Sequence, residues 1–143
     1  MTAEQTVWQS DFEGPQDSPG FSLWRNFMRW QRGLNAALRP LGLTQPQFAI
    51  LAVCGWMTHD GQEVTQQGVA DFVGLDRMHV SQVAKRLEED GLIERHASKF
   101  DQRAKKIVLT GKGFDLLAKA MPVVEGFDRM HFEPVPSAAA VVS

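Results

Sequence analysis

Between residues 22 and 127 the apolar positions recur with helical spacing in five stretches and alternate strand-like in two short ones. That pattern predicts a mostly α-helical chain with one small β-hairpin. A first helix is expected from about Ser22 to Leu38, with Trp24, Phe27, Met28, Leu34 and Leu38 on its apolar face. Arg25, Arg29 and Arg32 form a second stripe, and Pro40 ends the helix. Thr44-Gln45-Pro46-Gln47 reads as a capping box with proline tolerated in the first turn. The helix it opens should reach about Met57, carrying Phe48, Leu51, Ala52 and Trp56, before a turn at His59-Asp60-Gly61. Pro15, Pro19, Gly14 and Gly20 break up the first twenty residues, which read as a flexible arm with Trp8 and Phe12 as possible anchors.

The stretch from Gln66 to Arg103 carries the most information. Val69, Ala70 and Val73 make one apolar stripe and Val80, Val83, Ala84 and Leu87 another, with Gly74 between them. Glycine reaches positive φ at no steric cost, which suits a sharp turn between two short helices. Asp76 is placed to cap the second helix, Gly91 to close it after Asp90, and Leu92 to fold back on its last turn. The period then changes. Leu92 to His96 and Lys105 to Leu109 read as strands, joined by a polar, basic tip from Ser98 to Ala104. Thr110 is placed to cap a last helix running from near Lys112 to about Phe127, which Pro122 should kink.

A helix-turn-helix followed by a basic hairpin points to DNA. The inward stripe of the second helix leaves Arg77, Met78, His79, Ser81, Gln82, Lys85 and Arg86 facing out. An α-helix fits the major groove, where arginine bridges guanine O6 and N7 and glutamine bridges adenine N6 and N7. Arg77 and Gln82 are therefore the candidate base readers and Met78 a candidate for a thymine methyl, with Lys85 and Arg86 suited to phosphates. Thr65, Gln66 and Gln67 open the preceding helix, whose free N–H groups suit a phosphate. Each feature has a plainer reading: a solvated helix face for the first set, a simple cap for Thr65.

Charge sharpens this picture. The formal net charge is −2, yet the first twenty residues hold four acids and no lysine or arginine. Arg77 to Lys112 holds nine basic residues against five acids. DNA binding depends on the local field and not on the sum. One domain is expected at 143 residues, and 43% apolar residues suffice for a core. With no apolar run near bilayer length and no signal-peptide pattern, a cytoplasmic location is expected. Cys54 is the single cysteine, so no internal disulfide forms, and it reads as a small buried hydrophobe. His59, His79, His96 and His131 are scattered without metal-ligand spacing, and no phosphate loop or catalytic dyad is visible. The expectation is no metal, no cofactor and no enzyme.

Thr65-Gln66-Gln67, Leu75-Asp76-Arg77, Val80-Ser81, Arg86-Leu87-Glu88, Gly91 to Arg95, Asp101 to Lys105, Leu109-Thr110 with Gly113, and the upstream Leu41-Gly42-Leu43-Thr44 with Gln47-Phe48 all occur in order. In this the chain resembles the MarR family of winged-helix transcription regulators, over roughly Phe21 to Val124. The resemblance implies a winged helix-turn-helix domain at 44–110, flanked by dimerisation helices at 21–43 and 111–143. It also implies a wing-tip arginine in the minor groove, here Arg103, positioned by Asp101, with Gln102 and Lys99 beside it. A surface hairpin with a weak ion pair is the plainer account. Family members often bind small aromatic or phenolic anions between the dimerisation helices and the DNA lobe. Trp24, Arg25, Phe27, Arg29, Trp30, Phe48, Trp56 and Phe114 are the candidate effector pocket, with ordinary core packing as the default for the aromatics. Some relatives sense peroxides through a cysteine near the start of the first helix, where this chain has none. Pro134 and Pro136 leave no room for the family's sixth helix, so Phe127, Met130 and Phe132, or the arm, are possible substitutes in the dimer. The expected function is a homodimeric regulator, a repressor on a pseudo-palindromic operator released by a small ligand. The competing expectation is a winged helix used for protein–protein contact, as in an antirepressor.

Overall fold

The computed structural model describes residues 8–101 and 103–133. They form α1 (Pro19–Leu38), α2 (Gln45–His59), α3 (Gln66–Val73), α4 (Arg77–Glu89), β1 (Ile93–Ala97), β2 (Lys105–Leu109) and α5 (Gly111–His131). Two compact units are distinguished, residues up to Gly33 and residues from Leu34 onward. Among the described residues no helix is long and apolar enough to cross a membrane.

In the N-terminal unit α1 begins at Pro19, three residues before the expected Ser22. Proline's fixed φ and missing N–H are harmless in a first turn. The Ser18 carbonyl accepts from Ser22 N at 2.9 Å. The segment read as an arm therefore ends in a short 3-10 turn at Pro15–Asp17 followed directly by helix. Trp8 donates its indole N–H to the Phe12 carbonyl at 2.7 Å.

The second unit is held by Leu34, Leu38, Ile50, Leu51, Cys54, Val69, Val80, Ala84, Leu87, Ile93 and Ile107, all buried. The caps read from the sequence form as expected. Thr44 and Gln47 make the reciprocal capping box, and Thr65, Asp76 and Thr110 accept from Gly68, His79 and Gly113 respectively. Gly74 turns between α3 and α4 at φ 79°. At the end of α4, Gly91 stands at φ 77°, its N–H on the Glu88 carbonyl and that of Leu92 on Leu87. This is a Schellman close, and it buries Leu92.

Two boundaries differ from expectation. β1 starts at Ile93, because Leu92 belongs to the helix stop. α5 begins at Gly111 and runs through Pro122 to His131. Proline leaves the Ala118 carbonyl without its usual donor, yet the helix continues past it, and near its end His131 stacks on Phe127 at 5.4 Å. β1 and β2 pair antiparallel, Ile93 opposite Leu109 and Ala97 opposite Lys105. A bridge from Thr65 to Lys106, with Ile107 N on the Val64 carbonyl at 2.8 Å, ties the hairpin to the start of α3.

Candidate nucleic-acid interface

The N-cap at Asp76 sets the first turn of α4 outward. Arg77, Met78 and His79 are exposed there, followed along the helix by Gln82, Lys85 and Arg86, with Ser81 half-buried. Val80, Ala84 and Leu87 fix this orientation by burying the opposite face, while Val83 is only half-buried at its edge. Met78 is 72% exposed. Arg86 is tied to Asp90 one turn on, Nε to Oδ2 at 3.3 Å.

Beside α4 lies a groove of about 310 Å³ lined by Gln66, Gln67, Arg77, Asp101, Arg103 and Lys105 among others. Three elements far apart in sequence thus converge: the start of α3, the start of α4 and the wing. Arg103 is 96% exposed, its backbone N–H on Asp101 Oδ1 at 3.0 Å and its Nε 3.9 Å from the same oxygen. Lys99 is exposed on the wing, and Gln102 lies outside the described residues. Among the described residues, no carboxylate is within ion-pair distance of Arg77, Lys85, Lys99 or Lys105.

Two anchors of this site were not visible in the sequence. Ser98, expected in the exposed tip, is buried. It donates to the Glu63 carboxylate and accepts from Phe100 N and Asp101 N at 3.1 and 3.3 Å. The tip is thereby stapled at its base to the loop before α3. The second anchor is Arg95, half-buried between Glu88 and Gln66. Its Nη2 and Nε sit 3.0 and 3.2 Å from Glu88 Oε1, its backbone N 3.1 Å from Glu88 Oε2, and its Nη1 2.9 Å from Gln66 Oε1. Strand alternation carried a hint of it: Arg95 shares a face with buried Ile93, and a cation on that face needs a partner.

The Arg95 hydrogen bond holds the Glu88 carboxyl below the usual carboxylate range. A lowered folded-state pKa contributes stability that is complete above the unfolded value, about 4.3. It is lost as pH falls through the folded value. The difference in urea midpoint between wild type and Glu88→Gln should therefore be constant at neutral pH and shrink as pH falls below about 4.3. Cys54 lies wholly buried in α2, and burial pushes its thiol up to about 12. At neutral pH it is a thiol and not a reactive thiolate.

The candidate effector residues do not behave as one packed core. Within the N-terminal unit Trp24 and Phe27 are exposed, Phe27 lies 5.9 Å from half-buried Trp30, and Leu23, Trp24 and Phe27 border an apolar cleft with Gly20. Arg25 and Arg29 are exposed on the same helix. In the second unit Phe48 is half-buried and Phe114 exposed, while Trp56 pairs with Phe72 at 5.5 Å, both largely exposed. The default of core burial fails for Trp24, Phe27, Trp56 and Phe114. Apolar helical spacing alone does not separate a core stripe from a surface one.

An outward polar helix, closed by a glycine turn before and a two-stranded basic wing after, defines a winged helix-turn-helix DNA-binding protein. The MarR family profile matches residues 43–105. The HTH-type transcriptional regulator YdcH of Bacillus subtilis (strain 168) is 40% identical over 125 residues, 87% of this chain and 85% of that one. The chain belongs to the MarR family of transcription regulators: it is a DNA-binding regulator and not an enzyme. Solved structures agree. CouR from Rhodococcus jostii RHA1, bound to p-coumaroyl-CoA, matches with TM-score 0.73 and 29% identity, over 90% of this chain and 88% of that one. The Mycobacterium tuberculosis regulator MosR in complex with DNA matches with TM-score 0.71 and 27% identity, over 88% and 91%.

Proposed function

We propose that the protein is a repressor that binds a pseudo-palindromic operator as a homodimer. The observation that carries this reading is the convergence of Gln66, Arg77, Arg103 and Lys105 on one groove beside the exposed face of α4. In this reading α4 enters the major groove, with Arg77 and Gln82 reading bases and Met78 meeting a thymine methyl. His79 and Ser81 flank them, and Lys85 and Arg86 neutralise phosphates. Thr65 and Gln66 present the start of α3 to the backbone. Arg103, supported by Asp101 and flanked by Gln102 and Lys99, reaches the adjacent minor groove.

A single winged helix makes few phosphate contacts. Two of them on half-sites about one helical turn apart gain both affinity and specificity. α1 and α5 are the elements available to pair two copies. The exposed Phe21, Leu23, Trp24 and Phe27 on α1, and Met130 and Phe132 at the end of α5, supply apolar surface for it. That CouR is bound to p-coumaroyl-CoA supports a small aromatic effector here as well. Such a ligand releases DNA only by favouring the conformation whose two α4 helices do not match the half-site spacing.

The test is selection of duplexes from a random-sequence library, followed by fluorescence anisotropy of the enriched duplex across a salt series. Inverted-repeat sequences should be enriched, and log K should fall with log salt by about 0.9 for each phosphate neutralised. Equal, weak binding to enriched and scrambled duplexes would overturn the operator reading.

A further inference from the structure

We infer that Arg95 is a positioning residue for DNA recognition: it holds the Gln66 side-chain amide with its oxygen inward and its NH2 outward, so that Gln66 meets DNA only as a hydrogen-bond donor. The inference rests on the DNA-binding reading above and assigns a chemical polarity to one of its contacts.

The argument begins with what a guanidinium can do. It has five N–H donors and no acceptor. The end of the Gln66 amide that meets Arg95 Nη1 at 2.9 Å must therefore be the oxygen. The NH2 is the end left for the groove that Gln66 lines with Arg77, Arg103 and Lys105. A free glutamine can turn its amide over and offer either end. One held by Arg95 offers a donor, which suits phosphate oxygens, guanine O6 and N7 or thymine O4. It does not suit the amino groups of adenine and cytosine.

Arg95 is itself prevented from serving the DNA. Its side chain is only 15% exposed, and Nε, Nη2 and the backbone N–H are all committed to Glu88. The ion pair spans α4 and β1, and the Gln66 bond adds α3. One basic residue of this basic lobe thus acts through another side chain and adds nothing to counterion release. That separates it from Lys99, Arg103 and Lys105, whose charges face solvent.

The test is a double-mutant cycle on the duplex enriched by wild type, using Arg95→Met, Gln66→Ala and the pair, with anisotropy across a salt series. Arg95→Met should weaken binding roughly five- to tenfold, the scale of one positioned hydrogen bond. In the Gln66→Ala background the same change should cost less than about twofold, because the amide it orients is gone. The salt slope of Arg95→Met should equal that of wild type, whereas loss of a phosphate contact lowers it by about one. Equal losses in both backgrounds would assign Arg95 a general structural role and overturn the inference, as would a reduced slope. Gln66→Glu covers the case in which Arg95→Met does not fold. It keeps an oxygen for Arg95 but removes the donor, so it should fold normally and lose most of its DNA affinity. Wild-type affinity in Gln66→Glu would overturn the inference. If wild type enriches no sequence at all, the DNA-operator reading fails and the inference falls with it; a selective wild type with no coupling defeats the inference alone.

Discussion

Replacing Gly113 with alanine should lower stability by about 3 kcal/mol, and replacing Gly126 in the same helix should raise it by about 0.5 kcal/mol. Helix propensity favours alanine over glycine by up to about 1 kcal/mol at either position. What separates them is the space for one methyl group. A Cβ at Gly126 meets nothing within 4 Å. At Gly113 it would overlap the Leu92 backbone carbonyl and lie 3.3 Å from Leu109 Cδ2. A flexible side chain can move aside, but the Leu92 carbonyl cannot. It already accepts from Thr110 N at 3.1 Å and belongs to the turn that closes α4. Overpacking against backbone therefore outweighs propensity. For a chain of this size the loss corresponds to a fall in Tm of roughly 10 °C. Thermal unfolding of both variants checks it, and a Gly113→Ala protein as stable as wild type would refute the packing argument.

The position matters because α5 starts on the end of α4. Thr110 Oγ1 donates to the Gly91 carbonyl at 2.7 Å and Lys112 Nζ to the Asp90 carbonyl at 2.8 Å. With Arg95 gripping Glu88 one turn earlier, the C-terminal part of α4 is fastened to both the wing and α5. Its N-terminal turn, where Arg77 and Met78 stand, is held chiefly by the Asp76 cap and buried Val80.

Local rules account for what was legible in the sequence. Thr44, Thr65, Asp76 and Thr110 cap helices because a short acceptor side chain three residues before a free N–H needs nothing else. Gly74 and Gly91 turn the chain because few other residues tolerate positive φ. The outward set on α4 followed from the inward one by helical period. What stayed hidden depends on residues distant in sequence. Ser98 is polar and sits in a polar run, and only Glu63, 35 residues away, makes it an inward anchor. Arg95 is one more cation of a basic segment in the sequence, and only Glu88 and Gln66, which enclose it in the fold, set it apart. Trp24, Phe27 and Trp56 sit on apolar stripes yet remain exposed, since a stripe records only that some surface is apolar and not what covers it.

Arg103→Ala should weaken binding of the enriched duplex by about 1–3 kcal/mol, roughly fivefold or more, while leaving folding stability unchanged. The two halves of that expectation have one cause. At 96% exposure the Arg103 side chain contributes almost nothing to the folded chain, and its 3.9 Å approach to Asp101 is a surface contact of little worth. The same exposure leaves the guanidinium free to enter a narrow minor groove, where negative potential is concentrated and water is displaced. Asp101→Ala acts differently. Asp101 accepts the Arg103 backbone N–H at 3.0 Å, so it shapes the tip and directs the arginine without carrying favourable charge toward DNA. Its loss removes a positioning contact but also a repulsive carboxylate. The net effect should be smaller than that of Arg103→Ala, and the salt slope should stay at the wild-type value. Arg103→Lys separates shape from charge further. It keeps the cation and so most of the slope, but a compact, strongly hydrated ammonium enters a narrow groove less readily than a flat guanidinium. Affinity for A·T-rich flanking sequence should therefore fall more than affinity for mixed sequence. If Arg103→Ala binds the enriched duplex as tightly as wild type, the wing lies off the DNA and α4 alone carries recognition.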